Sequence, residues 1–155
     1  MNLKDAMSCF ATGVTVVTTH AQGQDWGLTC SSFNTVSLEP ALVLWSLRRA
    51  SLSHAAFASA PGYVVNVLAA EQQALAQRFA VGTQAERFDG VSIERAQGMA
   101  RLPQALAWFV CQTVQVVAAG DHDILIGQVQ SFGCRPGEPL VHAQRRFGIL
   151  APREA

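Results

Sequence analysis

Residues 105–118 and 124–132 form two long apolar and β-branched runs, separated by Gly120-Asp121-His122-Asp123. The second run alternates in the period of two that marks a strand. Gly-Asp is ordinary turn chemistry. The sequence therefore predicts two long strands meeting at a tight turn, and such a hairpin commits the chain to antiparallel sheet.

The rest of the chain fits that commitment. Val14–Thr19 is β-branched and reads as a strand, Gln22–Asp25 as a polar turn, and Gly27–Phe33 as the second arm of a hairpin. Leu38-Glu39-Pro40 interrupts pairing, because proline cannot donate to a ladder. Ala41–Leu47, Tyr63–Leu68 and Leu140–Leu150 are further strands, the last opened by the turn Arg135–Pro139. Helical spacing marks 3–11, which Gly13 ends, and the amphipathic stretch 69–80. Ser51 caps a short helix over 52–59, closed by Pro61-Gly62. Residues 81–103 read as a loop with one short strand near Val91–Ile93. About seven strands in hairpin-like succession, with a few short helices between them, predict a mainly β fold. A closed or partly closed antiparallel barrel suits this order better than a doubly wound sheet. No repeat, low-complexity segment or linker divides residues 1–155, so a single domain is expected.

Composition narrows the function classes. Half of the residues are apolar and 14% are charged, which excludes a disordered chain and suggests apolar surface covered by a second subunit. Eleven basic and eleven acidic residues balance to zero net charge, so neither nucleic acid nor an anionic membrane is an expected partner. Cys9, Cys30, Cys111 and Cys134 form no CxxC pair, and no HxH or HExxH spacing supports a metal. Four reduced thiols, no signal-like start and no membrane-length apolar run predict a cytoplasmic protein.

Two stretches carry candidate chemistry. Thr29 to Ser37 sets hydroxyls and main-chain amides on a predicted strand, where alternation puts Thr29, Ser31 and Phe33 on one side and Cys30 and Ser32 on the other. Such a surface suits the edge of a flat polar heterocycle; a Ser/Thr-rich edge strand is the structural alternative. Arg48-Arg49-Ala50-Ser51-Leu52-Ser53 offers guanidinium forks and a helix start to a phosphate, or is a solvated basic turn with an ordinary cap. Neither a GxGxxG nor a Walker glycine loop is present. His122 is able to hydrogen-bond a ligand or donate a proton near neutrality, but the tetrapeptide around it taken alone reads as a plain β-turn. Trp26, Trp45 and Trp108 are candidates for stacking on a ring or for filling the core.

Taken in order, these segments resemble the flavin reductase family of FMN-binding split-barrel proteins, over about residues 3–150. The carriers are Phe10–Thr18, Gly27–Phe33 with Val36–Pro40, Leu47–Ser53, Val65–Leu68, Arg78–Ala80 with Arg87–Gly90, Gly120-Asp121-His122 with Ile126–Val129, and Pro139–Val141. The chain has Val110 before Cys111 where the family usually has an acidic residue, and Arg145-Arg146-Phe147 where it usually has a glycine and then a tyrosine. The resemblance implies hydride transfer from NADH or NADPH to FMN, with FAD or riboflavin as further acceptors, in a homodimer that supplies a flavin-dependent oxygenase. It implies that Thr29, Cys30, Ser31, Ser32 and Ser37 hold the ring edge and ribityl chain. Ser46, Leu47, Arg49, Ser51 and Ser53 would surround the phosphate, Phe147 would join the cofactor set, and His122 would lie on the nicotinamide side as the catalytic residue. A barrel that binds flavin without turning over nicotinamide, and a purely structural dimeric barrel, are the rival readings.

Overall fold

In the computed structural model, which describes residues 1–154, the two long runs form the expected hairpin. Its arms are Ala107–Ala119 and His122–Cys134, paired antiparallel from Ala119↔His122 to Ala107↔Cys134. Only Gly120 and Asp121 separate them, and Gly120 takes φ 63°, as the first central position of a tight hairpin turn requires.

In chain order the elements are α1 (Leu3–Ser8), β1 (Thr12–Gly13), β2 (Thr15–Ala21), β3 (Gln24–Cys30), β4 (Asn34–Leu38), β5 (Ala41–Arg48), α2 (His54–Ser59), β6 (Gly62–Val67), α3 (Gln73–Arg78, led by a 3-10 turn over Ala70–Gln72), α4 (Gln84–Phe88), β7 (Glu94–Ala96), β8 (Met99–Arg101), β9 and β10 (the long hairpin), β11 (Val141–Ala143) and β12 (Arg146–Gly148). Seven strands build one antiparallel sheet in the order β3-β2-β6-β9-β10-β5-β4. Strands β5 and β6 are not neighbours in it, yet Trp45 of β5 meets Tyr63 of β6 edge to face at 5.8 Å. The sheet therefore curls until distant strands face each other. Val17, Cys30, Val43, Trp45, Leu47, Tyr63, Val65, Cys111 and Leu125 fill its interior, and Phe57 of α2 closes the end. Burial pushes the Cys111 thiol up to about 12, so this cysteine is an inert packing residue.

β2 is buried on both faces. Val17 points into the barrel, while Val14 and Val16 join Leu68, Ala76, Phe79, Leu102, Ala105 and Leu140 in a second core under α3. This second core locks the edge strand β3. An edge strand exposes unpaired backbone groups, and here the 76–88 segment satisfies them. The Thr29 amide donates to the Phe79 carbonyl (3.1 Å), the Gly27 amide to Gln84 Oε1 (2.8 Å), and Arg87 to the Gly27 carbonyl (2.7 Å). Phe79 and Phe88, edge to face at 5.0 Å, press so closely on Gly27 that a Cβ there would lie 2.7 Å from the Phe79 ring. Gly27→Val should therefore destabilise the fold by about 1–3 kcal/mol through overpacking. It should also loosen the end of β3; a denaturant midpoint equal to wild type would show that the aromatic pair moves aside freely.

The differences from the sequence reading are local. The 81–103 stretch holds α4, marked by Thr83 and Glu86 as a reciprocal capping box, a signal the weak periodicity concealed. The short strand expected at Val91–Ile93 lies instead at Glu94–Ala96, because Gln97-Gly98 makes the turn to β8. The 29–37 stretch expected as one strand is two, β3 ending at Cys30 and β4 starting at Asn34, so its alternation does not run past Cys30. The last expected strand, 140–150, breaks into β11 and β12 at Gln144-Arg145, both with positive φ. α1 ends at Ser8, short of the expected 3–11.

Candidate active site

Strand register decides which side chains reach the surface where β5 ends and β10 begins. Arg48 pairs with His122, Leu47 with Asp123 and Ser46 with Ile124. Alternate residues share a face, so Arg48, Ser46 and His122 lie together outside the barrel, whereas Leu47 and Asp123 turn inward. A cavity of about 320 Å³ opens on that outer surface. Leu28, Thr29, Cys30, Ser31 and Ser32 line one wall, and Ser46, Leu47, Arg48, Ser51 and His122 the other. The connection after β3 is pinned across the mouth: Ser32 Oγ accepts from the Ser46 amide (2.9 Å). Thr29 Oγ1 donates to the Ala76 carbonyl (2.6 Å), which fixes its hydroxyl against α3.

His122 is oriented by its neighbour. Its Nδ1 lies 2.7 Å from Asp121 Oδ1, and this hydrogen bond holds the Asp121 carboxyl below the usual carboxylate range. An ionised carboxylate only accepts, so Nδ1 carries the proton and Nε2 is left for a ligand. Arg49 departs in the opposite direction to Arg48. Its Nε donates to Asp123 Oδ1 (3.0 Å), while His54 Nε2 donates to Asp123 Oδ2 (2.7 Å).

A second cavity, of about 460 Å³, lies on the other side of the β3 end. Thr29, Cys30 and Ser31 belong to both, and the second is walled by Val14, Ala76, Gln77, Ala80, Val81, His142 and Phe147. Its lining is mainly apolar, and the Phe147 and His142 rings stand 5.2 Å apart across β11 and β12. Both volumes fall within the roughly 300–1,000 Å³ of small-molecule sites. One chamber offers hydroxyls and a guanidinium, the adjoining one offers an apolar slot, and backbone lies between. This arrangement fits a flat ring with a phosphorylated polar tail.

Of the residues singled out from sequence, Thr29, Cys30, Ser31, Ser32, Ser46, Leu47, Ser51 and His122 line the polar cavity, and Phe147 lines the apolar one. Arg49 pairs with Asp123. Ser53 is buried and accepts from Gln84 Nε2 (3.2 Å), and Ser37 lies on β4 opposite Leu42. Arg48 is the residue that joins the lining although the sequence reading favoured its neighbour; only the β5–β10 register separates the two. The tryptophans stand apart from both chambers: Trp45 fills the barrel, Trp108 lies under Arg101 at 4.6 Å, and Trp26 donates its indole N–H to the Ala21 carbonyl (2.9 Å). Among the described residues no group of acidic, histidine and cysteine side chains is arranged to hold a metal ion.

Comparison with known proteins identifies the family. The chain is 38% identical over 148 residues to the FMN reductase (NADH) SmoA of Agrobacterium fabrum, covering 95% of this chain and 84% of that protein. It is 43% identical over 132 residues to the reductase component of the flavin-dependent trigonelline monooxygenase of Acinetobacter baylyi, covering 84% of this chain but 42% of that one, so it spans less than half of that relative. Among solved structures, the flavin reductase PheA2 superposes with a TM-score of 0.89 at 34% identity, covering 98% of this chain and all of that one. The NADH:FAD oxidoreductase SgcE6 of Streptomyces globisporus, in complex with NAD and FAD fragments, gives 0.91 at 32% identity, covering 97% and 92%. The mainly β fold with a few short helices is thus the split barrel of these reductases, and with residues 7–151 matching the flavin reductase like domain, the chain belongs to that family.

Proposed function

We propose that the protein is an NADH-dependent FMN reductase that supplies reduced flavin to a separate flavin-dependent oxygenase. The observation that carries this reading is the pair of chambers, one polar and one apolar, that share Thr29 to Ser31. Bound flavin supplies the hydride-accepting ring, so the protein need contribute only position and electrostatics. Ser31 and the amides at the end of β3 hold the ring edge. Arg48 and Ser51 hold the phosphate by charge-assisted bonds, and Phe147 and Val14 keep water from the ring. The family resemblance assigns His122, with its Nε2 free, to the nicotinamide side, although it lines the polar chamber across the ladder from Arg48.

The test is to mix purified protein with NADH and FMN and follow the loss of nicotinamide absorbance. Steady turnover is expected; a yellow protein without turnover would make it a flavin-binding module, and no flavin uptake would make it a structural barrel. His122→Ala should slow turnover about tenfold with the FMN affinity within about twofold of wild type. Unchanged turnover would remove His122 from the reaction.

Two further parts of the reading concern context. The active unit is a homodimer, for which the free edge strand β4 offers exposed Val36 and Leu38 and the outer face of the long hairpin offers Val114, Val116 and Phe132. The protein works in the cytoplasm, with which its four free cysteines agree; among the described residues no helix is long and apolar enough to cross a membrane.

A further inference from the structure

Asp123 has no part in the hydride transfer described above, yet it is a buried acidic side chain one residue from His122. Its strand neighbours facing the same way are Leu47 and Leu125, both in the barrel core. A carboxylate in such a place is costly unless its oxygens are fully used. Both are used here. Oδ1 takes the Arg49 fork, through Nε at 3.0 Å and Nη2 at 2.9 Å, and Oδ2 takes His54 Nε2 at 2.7 Å. The bonds from His54 and then Arg49 keep its carboxyl below the usual range, so it is ionised at neutral pH.

These two partners bracket the segment that carries Ser51. Arg49 immediately follows the last residue of β5, and its amide donates to the Asp121 carbonyl (3.0 Å). His54 is the first residue of α2. Between them the chain turns on itself: the Ser51 amide donates to the Arg48 carbonyl (3.1 Å), the His54 amide to the Ser51 carbonyl (3.1 Å), and the Ser53 amide to Ser51 Oγ (3.1 Å). One carboxylate thus grips both ends of the six-residue segment 49–54; Ser51 within it and Arg48 just before it line the polar cavity.

We propose that Asp123 is a positioning residue for the phosphate end of the flavin site: by holding Arg49 and His54 it clamps the 49–54 loop, so that Arg48 and Ser51 meet the phosphate while Arg49 is kept out of contact with it. The inference rests on the flavin reading. Adjacent arginines then divide the work, one as ligand and one as anchor. The specificity for a phosphorylated flavin over riboflavin depends on a side chain that never touches either.

The experiment is a flavin-fluorescence titration of FMN and of riboflavin with wild-type protein, Arg49→Ala, Asp123→Asn and the double variant, with turnover measured alongside. Each single variant should weaken FMN about fivefold and leave riboflavin within about twofold, with kcat nearly unchanged. The double variant should be no worse than either single one, because both remove the same clamp. Asp123→Glu should restore part of the loss. If Asp123→Asn fails to fold, His54→Ala removes the other partner of the carboxylate and should give the same FMN-selective loss. Additive losses, or an effect of Arg49→Ala with none from Asp123 or His54, would make Arg49 a direct ligand and overturn the proposal. Equal weakening of both flavins, or a wild type that binds FMN no better than riboflavin, would overturn it as well. Normal FMN binding without NADH oxidation would instead overturn the reductase reading and leave the clamp to be judged by the titrations.

Discussion

Arg48→Ala raises the KM for FMN about 10–100-fold and leaves the KM for riboflavin within about twofold. A hydrogen bond to a charged group contributes about 1.5–3 kcal/mol, which is that range of affinity. The loss is confined to FMN because riboflavin has no phosphate for the guanidinium to meet. The assignment follows from register. Arg48 stands across the ladder from His122, on the outer face, beside Ser46 and Ser51. Arg49, one residue on, is turned away to Asp123. Steady-state kinetics with each flavin at saturating NADH make the comparison. Parallel losses for both flavins would mean that Arg48 shapes the chamber without holding the phosphate.

Trp45→Ala removes about 3–5 kcal/mol of stability, read as a fall in the urea midpoint at unchanged slope. Against a total of roughly 5–15 kcal/mol for a domain, that is enough to leave part of the protein unfolded. Trp45 has no exposed surface and touches Phe57 at 5.0 Å and Tyr63 at 5.8 Å, each edge to face. Its removal opens a cavity where the curled sheet meets itself, and no neighbouring strand is free to collapse into it. The indole N–H is buried without a partner, so part of the tryptophan's benefit is already offset. Trp45→Phe drops that orphaned donor and keeps a ring, and should cost under about 1.5 kcal/mol. If the alanine variant were as stable as wild type, the barrel core would lie elsewhere.

The long hairpin was plain in the sequence because β-branched runs and a Gly-Asp turn act locally. The central strands were legible for the same reason. The break between β3 and β4 was not, because Ser31–Phe33 carries no Gly or Pro to mark it and the 29–37 stretch reads as one strand. α4 announced itself only through its cap residues, Thr83 and Glu86, in a stretch without periodicity. The site was half legible. A run of serines beside paired arginines could be seen to suit a phosphorylated ligand. Which arginine faces it depends on pairing between β5 and β10, seventy and more residues apart, and no local pattern encodes that. The apolar chamber was hidden for a similar reason, since Val14, Ala76 and Phe147 come from three distant segments. The roles of Asp123 and His54 needed the register and the loop together.

The central claim is that one ligand spans the two chambers, with its phosphate at Arg48 and its ring beyond Thr29 to Ser31. A crystal structure of the protein with FMN tests it most directly. The account expects the phosphate within hydrogen-bonding distance of the Arg48 guanidinium and Ser51, and the ring lying along Cys30 and Ser31 toward Phe147. Flavin seated instead in the separate cavity lined by Thr19, His20, Gln112 and Gln130, or a phosphate held by Arg49 with Arg48 in solvent, would contradict it.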